Sequence, residues 1–166
     1  MSKPNRISKI VNATAKLPAG LRTTLLSTAF GRVVPLVGTA GIRYDLVTPN
    51  KMICSIKNRR PVQNHINGVH AAAMALLAET ATGFVVGMNV PDDRIMLIKS
   101  LHVDYKRPSK GDMVAVATLS DEQRNLIANT EKGELLVDVV VTDESGQEPI
   151  QCQMLWAWLP KKKKDS

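Results

Sequence analysis

Residues Val69 to Val86 place apolar side chains on every side of a helix, and this segment restricts the possible folds more than any other part of the chain. It reads Val-His-Ala-Ala-Ala-Met-Ala-Leu-Leu-Ala-Glu-Thr-Ala-Thr-Gly-Phe-Val-Val, and Ala, Leu and Met are strong helix formers. A helix without a wet face has to be enclosed on most sides. Its length approaches that of a membrane span. His70, Glu79 and the polar flanks argue against that reading, so protein must supply the enclosure.

The rest of the chain supplies strands. Ile42 to Val47 and Met52 to Lys57 flank Thr48-Pro49-Asn50 and read as a hairpin. Asn58 to Gly68 is a polar loop leading into the apolar helix. Beyond the helix, strand-like runs cover Ile95 to Tyr105, Met113 to Leu119 and Leu135 to Thr142. Ser120 and Asp121 start a short helix through Ala128. The last strand puts Ile150, Cys152, Met154, Trp156 and Trp158 on one face. Short turns between consecutive strands favour antiparallel pairing. The expected fold class is α+β, a curled antiparallel sheet wrapped around one buried helix. Aromatics make up only 4% of the 166 residues, so the core is expected to be aliphatic.

Charge divides the chain. Before Asp45 there is no acidic residue, yet Lys3, Arg6, Lys9, Lys16, Arg22, Arg32 and Arg43 lie there. These seven account for the whole net charge of +7. Two helices are expected here, one over Asn5 to Lys16 and one from Leu21 to Val34 that stops at Pro35. Leu21, Leu25, Leu26, Ala29, Phe30, Val33 and Val34 form the apolar face of the second. Three readings of the basic segment stay open: a structural helix pair, a transit peptide, or a surface drawn to anionic lipid. The expected organisation is a helical extension over 1–40, a main domain over 41–160 and a basic tail over 161–166. Cys54 and Cys152 stand apart, read as buried thiols of a reducing compartment, and form no metal-ligand spacing. No metal site is expected, and charge without aromatics to stack bases is a poor case for nucleic acid.

The run Asn64-His65-Ile66-Asn67-Gly68-Val69-His70-Ala71, followed by Glu79, resembles the loop and central helix of hot dog fold thioesterases of the phenylacetate-degradation type. In that family an Asn precedes a His-Gly-Gly helix start, and an acidic residue follows along the helix. Asn64 precedes His70 by six positions and Glu79 follows it by nine, as in the family. The nearest branch is a subgroup labelled only as a domain of unknown function, which has an N-terminal helical extension and His-Ala in place of His-Gly. The resemblance implies a hot dog fold and an acyl-CoA thioesterase with its site at a subunit seam. The expected partners are therefore an acyl-CoA substrate and a second copy of the chain, as a homodimer or dimer of dimers. Coenzyme A enters as part of the substrate and no separate cofactor is expected. The expected location is the cytoplasm, or the mitochondrial matrix in a eukaryote, with peripheral membrane contact through the basic helices.

The residues themselves fit that chemistry. A carboxylate on an apolar helix is paired, snorkelling or functional, and Glu79 in the last case is a general base or a nucleophile toward the thioester carbonyl. Nine residues of helix rise about 13 Å and turn by about half a revolution. His70 and Glu79 of one chain therefore cannot share one carbonyl, whereas two antiparallel helices across a two-fold axis bring His70 of one chain to Glu79 of the other. Amides at a helix start lack intrahelical partners and suit a developing oxyanion. By resemblance the Ala71 amide is the main donor, and Asn64 holds the water or orients the carboxylate. Asn64 also has a plain reading as a turn residue, and His70 as a helix cap. The methyl of Ala71, where the family has glycine, keeps a second hypothesis in view: a non-catalytic acyl- or lipid-binding hot dog protein. A hot dog dehydratase ranks last, because its His and acid stand at a different spacing. For the phosphates of coenzyme A, Arg59, Arg60, Lys99, Lys106 and Arg107 are candidates, and the resemblance favours Lys106 and Arg107. Val69, Met74, Phe84 and Met88 are candidate walls of an acyl tunnel.

Overall fold

The computed structural model describes residues 4–162. Lys3 and most of the basic tail, including Lys163 and Lys164, lie outside the described residues. Helices α1 (Arg6–Ala13), α2 (Ala19–Val33) and α3 (Pro35–Ala40) precede the sheet. Strands β1 (Arg43–Val47) and β2 (Lys51–Ile56) come next, followed by helix α4 (Ala71–Gly87). Then follow β3 (Arg94–Tyr105), β4 (Met113–Thr118), helix α5 (Asp121–Asn129), β5 (Gly133–Asp143) and β6 (Ile150–Pro160). The strands form one six-stranded sheet in the order β1-β2-β4-β5-β6-β3, every pair antiparallel. This is the hot dog fold, α+β, with α4 against the inner face of the sheet.

Alternation in the strands explains why the sheet encloses that helix. Met52, Cys54 and Ile56 of β2, Met113, Ala115 and Ala117 of β4, and Met154, Trp156 and Trp158 of β6 all point inward and are buried. They meet Leu77, Ala78, Ala81, Val85 and Val86 of α4, all fully buried. Each such Leu or Val contributes about 1.5–3 kcal/mol by leaving water. The two indoles find polar partners: Trp156 Nε1 donates to Thr82 Oγ1 at 2.9 Å and Trp158 Nε1 to the Thr130 carbonyl at 2.7 Å. Gly83 is what admits the Trp156 ring against α4, because a Cβ there would fall 2.6 Å from two ring carbons.

The N-terminal helices pack on the face of α4 that the sheet leaves free. Asn5 caps α1 and also donates to the Gly87 and Val90 carbonyls at 2.7 and 2.6 Å, which ties α1 to the far end of α4. Pro35 does stop the second helix as expected. It then opens α3, because proline at a first helical position gives up no hydrogen bond. The apolar face expected along α2 is divided. Leu26 and Phe30 are buried, while Leu21, Leu25, Val33 and Val34 are exposed. The inward turn of α2 is used differently: Ser27 accepts from the Tyr44 amide at 2.9 Å and Arg22 donates to the Val47 carbonyl at 3.1 Å. Helix α2 thus covers the outer edge of β1. The opposite edge strand, β3, has twelve residues, and among the described residues no strand pairs with its outer side. Among the described residues no helix is long and apolar enough to cross a membrane.

The strand order could not be foreseen. β3 is followed in sequence by β4 yet lies at the sheet edge beside β6, because the run from β4 through β5 to β6 fills the middle. Replacing Gly83 by alanine is expected to destabilise the protein by about 1–3 kcal/mol through overpacking against Trp156, measured as a lower denaturation midpoint with unchanged slope.

Candidate functional site

The start of α4 is shaped by the loop before it. Asn64 Oδ1 accepts from the amides of Ile66 and Gly68 at 3.0 and 3.1 Å, and its own amide donates to the Gly68 carbonyl at 2.9 Å. Asn64 therefore folds the loop; its Nδ2 has no partner among the described residues. His70 is the N-cap of α4, with Nδ1 accepting from the Ala72 amide at 3.1 Å. That bond occupies the Nδ1 lone pair, so the proton of the neutral ring sits on Nε2. The His70 carbonyl accepts from Ala73 and Met74, and its amide donates to Val62 at 2.8 Å. The Val69 amide donates to Ser109 Oγ at 3.1 Å. From Val69 to Met74 the Ala71 amide alone has no acceptor among the described residues. It is a free donor at the positive end of a 17-residue helix. From the sheet edge, Tyr105 Oη donates to the Ala71 carbonyl at 2.9 Å and fixes the helix tip to the end of β3.

Glu79 lies further along α4, half-buried, with no ion pair or side-chain hydrogen bond among the described residues. It faces a cavity of about 180 Å³ whose other walls include Ile7, Val34, Val37, Tyr44, Phe84 and Met96. Burial pushes its carboxyl above the ordinary glutamate range. The Tyr44 phenol is raised as well, by burial first and then by the charges of Cys54 and Glu79, so it stays protonated. Phe30, Tyr44 and Phe84 form an aromatic cluster beside this carboxylate. Phe30 stacks on Tyr44 at 5.5 Å, and Phe84 meets Phe30 and Tyr44 edge-on at 4.6 and 4.9 Å. A second cavity of about 240 Å³ adjoins the helix start, between His70, Ala72 and Leu76 on one side and Leu36, Thr39 and Pro61 on the other.

Asn64, His70 and Ala71 thus come together, and Glu79 of the same chain lies about 13 Å of helix rise beyond them. Tyr44 is the site residue that sequence reasoning missed. A signal existed: the chain has six aromatic side chains, and Phe30, Tyr44, Phe84 and Trp156 converge on the Glu79 side of α4. Of the candidate tunnel walls, Phe84 lines the Glu79 cavity. Val69 and Met74 are buried in the core, and Met88 is buried at the other end of α4.

The basic candidates are placed unevenly. Arg107 is engaged by Asp143 at 2.8 Å and by Ser145 at 2.9 Å. Burial works to raise the Asp143 carboxyl. Hydrogen bonds from Ser145, the Lys110 amide and Arg107 outweigh it and hold the group at about 2. Arg107 is therefore a turn-fixing cation rather than a free one. Lys106 is exposed, 3.7 Å from Asp104, and Lys99 pairs with Glu134. Arg59 donates to the Thr39 carbonyl at 3.2 Å, and Arg60 is exposed. Cys54 is buried, and burial raises its thiol; burial of Cys152 raises its thiol to about 11. Among the described residues no three His, Cys, Asp or Glu side chains cluster as metal ligands.

The family model described as "Domain of unknown function (DUF4442)" matches residues 22–159. Solved structures share the fold. One is a Pseudomonas aeruginosa protein described as a "Probable Thioesterase", 22% identical, covering 84% of this chain and 96% of its own, with a TM-score of 0.73. A Haemophilus influenzae thioesterase is 12% identical over 79% of this chain and 87% of its own, with a TM-score of 0.61. A Staphylococcus aureus thioesterase is 17% identical over 76% of this chain and 99% of its own, with a TM-score of 0.63. No curated protein matches the chain.

The raised Glu79 carboxyl has a sign that can be checked. Between the ordinary glutamate pKa and the raised one, the folded state binds more protons than the unfolded state, so stability falls as pH rises through that window. Glu79→Gln is expected to raise the thermal midpoint at pH 7, with the gain shrinking toward pH 4. Equal gains at both pH values would contradict the burial of this carboxyl.

Proposed function

The chain belongs to the DUF4442 family, and we propose that it is a thioester hydrolase acting on acyl-CoA at two identical sites across a dimer seam. The observation that carries this reading lies on β3. Met96, near the start of the strand, borders the Glu79 cavity, and Tyr105, at its end, holds the tip of α4. Two β3 edges paired antiparallel about a two-fold axis set the Met96 end of one chain against the Tyr105 end of the other. Glu79 of one protomer then approaches Ala71 of its partner. The thioesterase descriptions of structural neighbours support the same reading. So does a detail of the Staphylococcus aureus thioesterase. Its solved variants carry alanine for a glutamine and for a glutamate fifteen positions later, the interval that separates Asn64 from Glu79.

In this mechanism the thioester carbonyl accepts from the free Ala71 amide, with the helix dipole behind it. The partner's Glu79 takes a proton from water, which attacks the carbonyl carbon. Its raised pKa makes it a better base than an ordinary glutamate. The tetrahedral oxyanion rests on the Ala71 amide, the C–S bond breaks, and the thiolate takes the proton back. His70 Nε2–H is a second donor to the departing sulfur. The acyl group occupies the apolar cavity beside Glu79, whose volume of about 180 Å³ is close to that of a dry cavity of about 150 Å³ that holds benzene. A compact acyl group suits it. The Ala71 methyl favours one other reading, a dimer that binds an acyl group without cleaving it.

Purified protein is expected to cleave acyl-CoA, and Glu79→Gln to lower kcat by about 10²–10⁴. Tight acyl retention with no turnover would decide for the binding reading. Ala71→Pro removes only the amide donor, because proline is tolerated at a first helical position and His70 is already extended (φ −64°, ψ 143°). It is expected to abolish turnover while the protein stays folded. Mixing the two inactive variants under exchange conditions is expected to restore about a quarter of wild-type activity, because half of the dimers then carry one intact site. No recovery, with dimer exchange verified, would mean that the two groups do not meet across the seam.

A further inference from the structure

Arg107 is committed to Asp143, so the phosphates of coenzyme A need cations besides it. The end of α2, helix α3 and the start of β1 enclose an open cleft of about 320 Å³. Arg32 and Arg43 stand on its walls with Thr28, and Gly31, Gly38 and Gly41 line it. The glycines are required. A Cβ on Gly38 would fall 2.5 Å from the Gly31 carbonyl oxygen, so this pair lets α2 and α3 touch. Gly41 has φ +69°, and a Cβ there would fall 2.3 Å from Arg59 Nη2. Arg59 thus packs on Gly41, next to the residues that line the cleft.

These three cations are little neutralised. Arg32 has no ion pair or side-chain hydrogen bond among the described residues, and the carboxylate paired with Arg43 is Asp45, 3.7 Å away and partly exposed. Arg59 uses Nη2 on the Thr39 carbonyl, which leaves its other donors. Position matters too. The last turn of α3 gives Thr39 and Ala40 to the trough beside His70, and Gly38 and Gly41 to the cleft. The same turn of α3 thus borders both the cleft and the apolar trough beside His70.

We propose that this cleft binds the nucleotide phosphates of coenzyme A, with Arg32 and Arg43 as phosphate contacts and the pantetheine arm in the trough beside His70. The proposal rests on the acyl-CoA reading of the site. Guanidinium groups suit it because their planar donor forks match phosphate oxygens.

Titration calorimetry on the full-length protein, with coenzyme A and with pantetheine, tests it. Wild type is expected to bind coenzyme A at least about tenfold more tightly, and Arg32→Ala/Arg43→Ala to lose that preference with an unchanged thermal midpoint. Arg60→Ala, outside the cleft, is expected to keep it. Equal binding of the two ligands by wild type, or an unchanged preference in the double variant, overturns the proposal. So does displacement by inorganic phosphate at the concentration at which coenzyme A binds, since the cleft is then a general anion site. Hydrolysis of an N-acetylcysteamine thioester, which carries no phosphate, reads the active site separately. Cleavage of that ester with no preference for coenzyme A removes the cleft alone. Preference for coenzyme A with no cleavage of any thioester removes the hydrolase alone.

Discussion

Helix α4 offers water no face of its own, and the arrangement of the molecule follows from having to cover it. The inner side chains of the sheet take one side, buried at Leu77, Ala78, Ala81 and Val85. The N-terminal helices reach much of the other. Glu79 is the exception in that enclosure, a carboxylate with no matching cation among the described residues. An unpaired charge in such surroundings costs stability. The fold carries that cost where an aromatic cluster lies on one side of the carboxylate and a cavity on the other.

The same helix supplies a contrasting group at its other end. Ala71 contributes a peptide N–H that the loop and cap leave open, while its neighbours' amides are used by Ser109, His70 and Val62. Acid and donor lie on one rigid rod, too far apart to serve one bond within a single chain. In the proposed mechanism such a rod works in pairs, and β3 is the strand proposed to join them.

Much of this was legible in the sequence, because it depends on local rules. The apolar period of 69–86, the alternation in Ile150 to Trp158 and the hairpin around Pro49 give the helix, the strands and the antiparallel habit. The placement of Asn64, His70 and Ala71 at one helix tip follows from chain continuity. What escaped depends on contacts distant in sequence. The α2 residues Leu21, Leu25 and Val33 match a buried stripe by spacing, yet α2 turns its polar Ser27 and Arg22 to the sheet, where the open backbone of β1 needs partners. Tyr44 escaped because nothing near it in sequence announces Phe30 or Phe84. Arg107 looked like a free cation because Asp143, its partner, comes from a strand thirty-six positions on.

The two rims of the sheet differ in a way that bears on how large an assembly can grow. Along β1, Ser27 and Arg22 occupy backbone groups that another strand would need; along β3 nothing comparable intervenes among the described residues. A ribbon with both rims bare adds copies without limit, which is the route to fibres. A ribbon with one rim sealed can be extended once, by a copy that brings its own bare rim. After that no strand is left to recruit another, so growth along the strands stops at two.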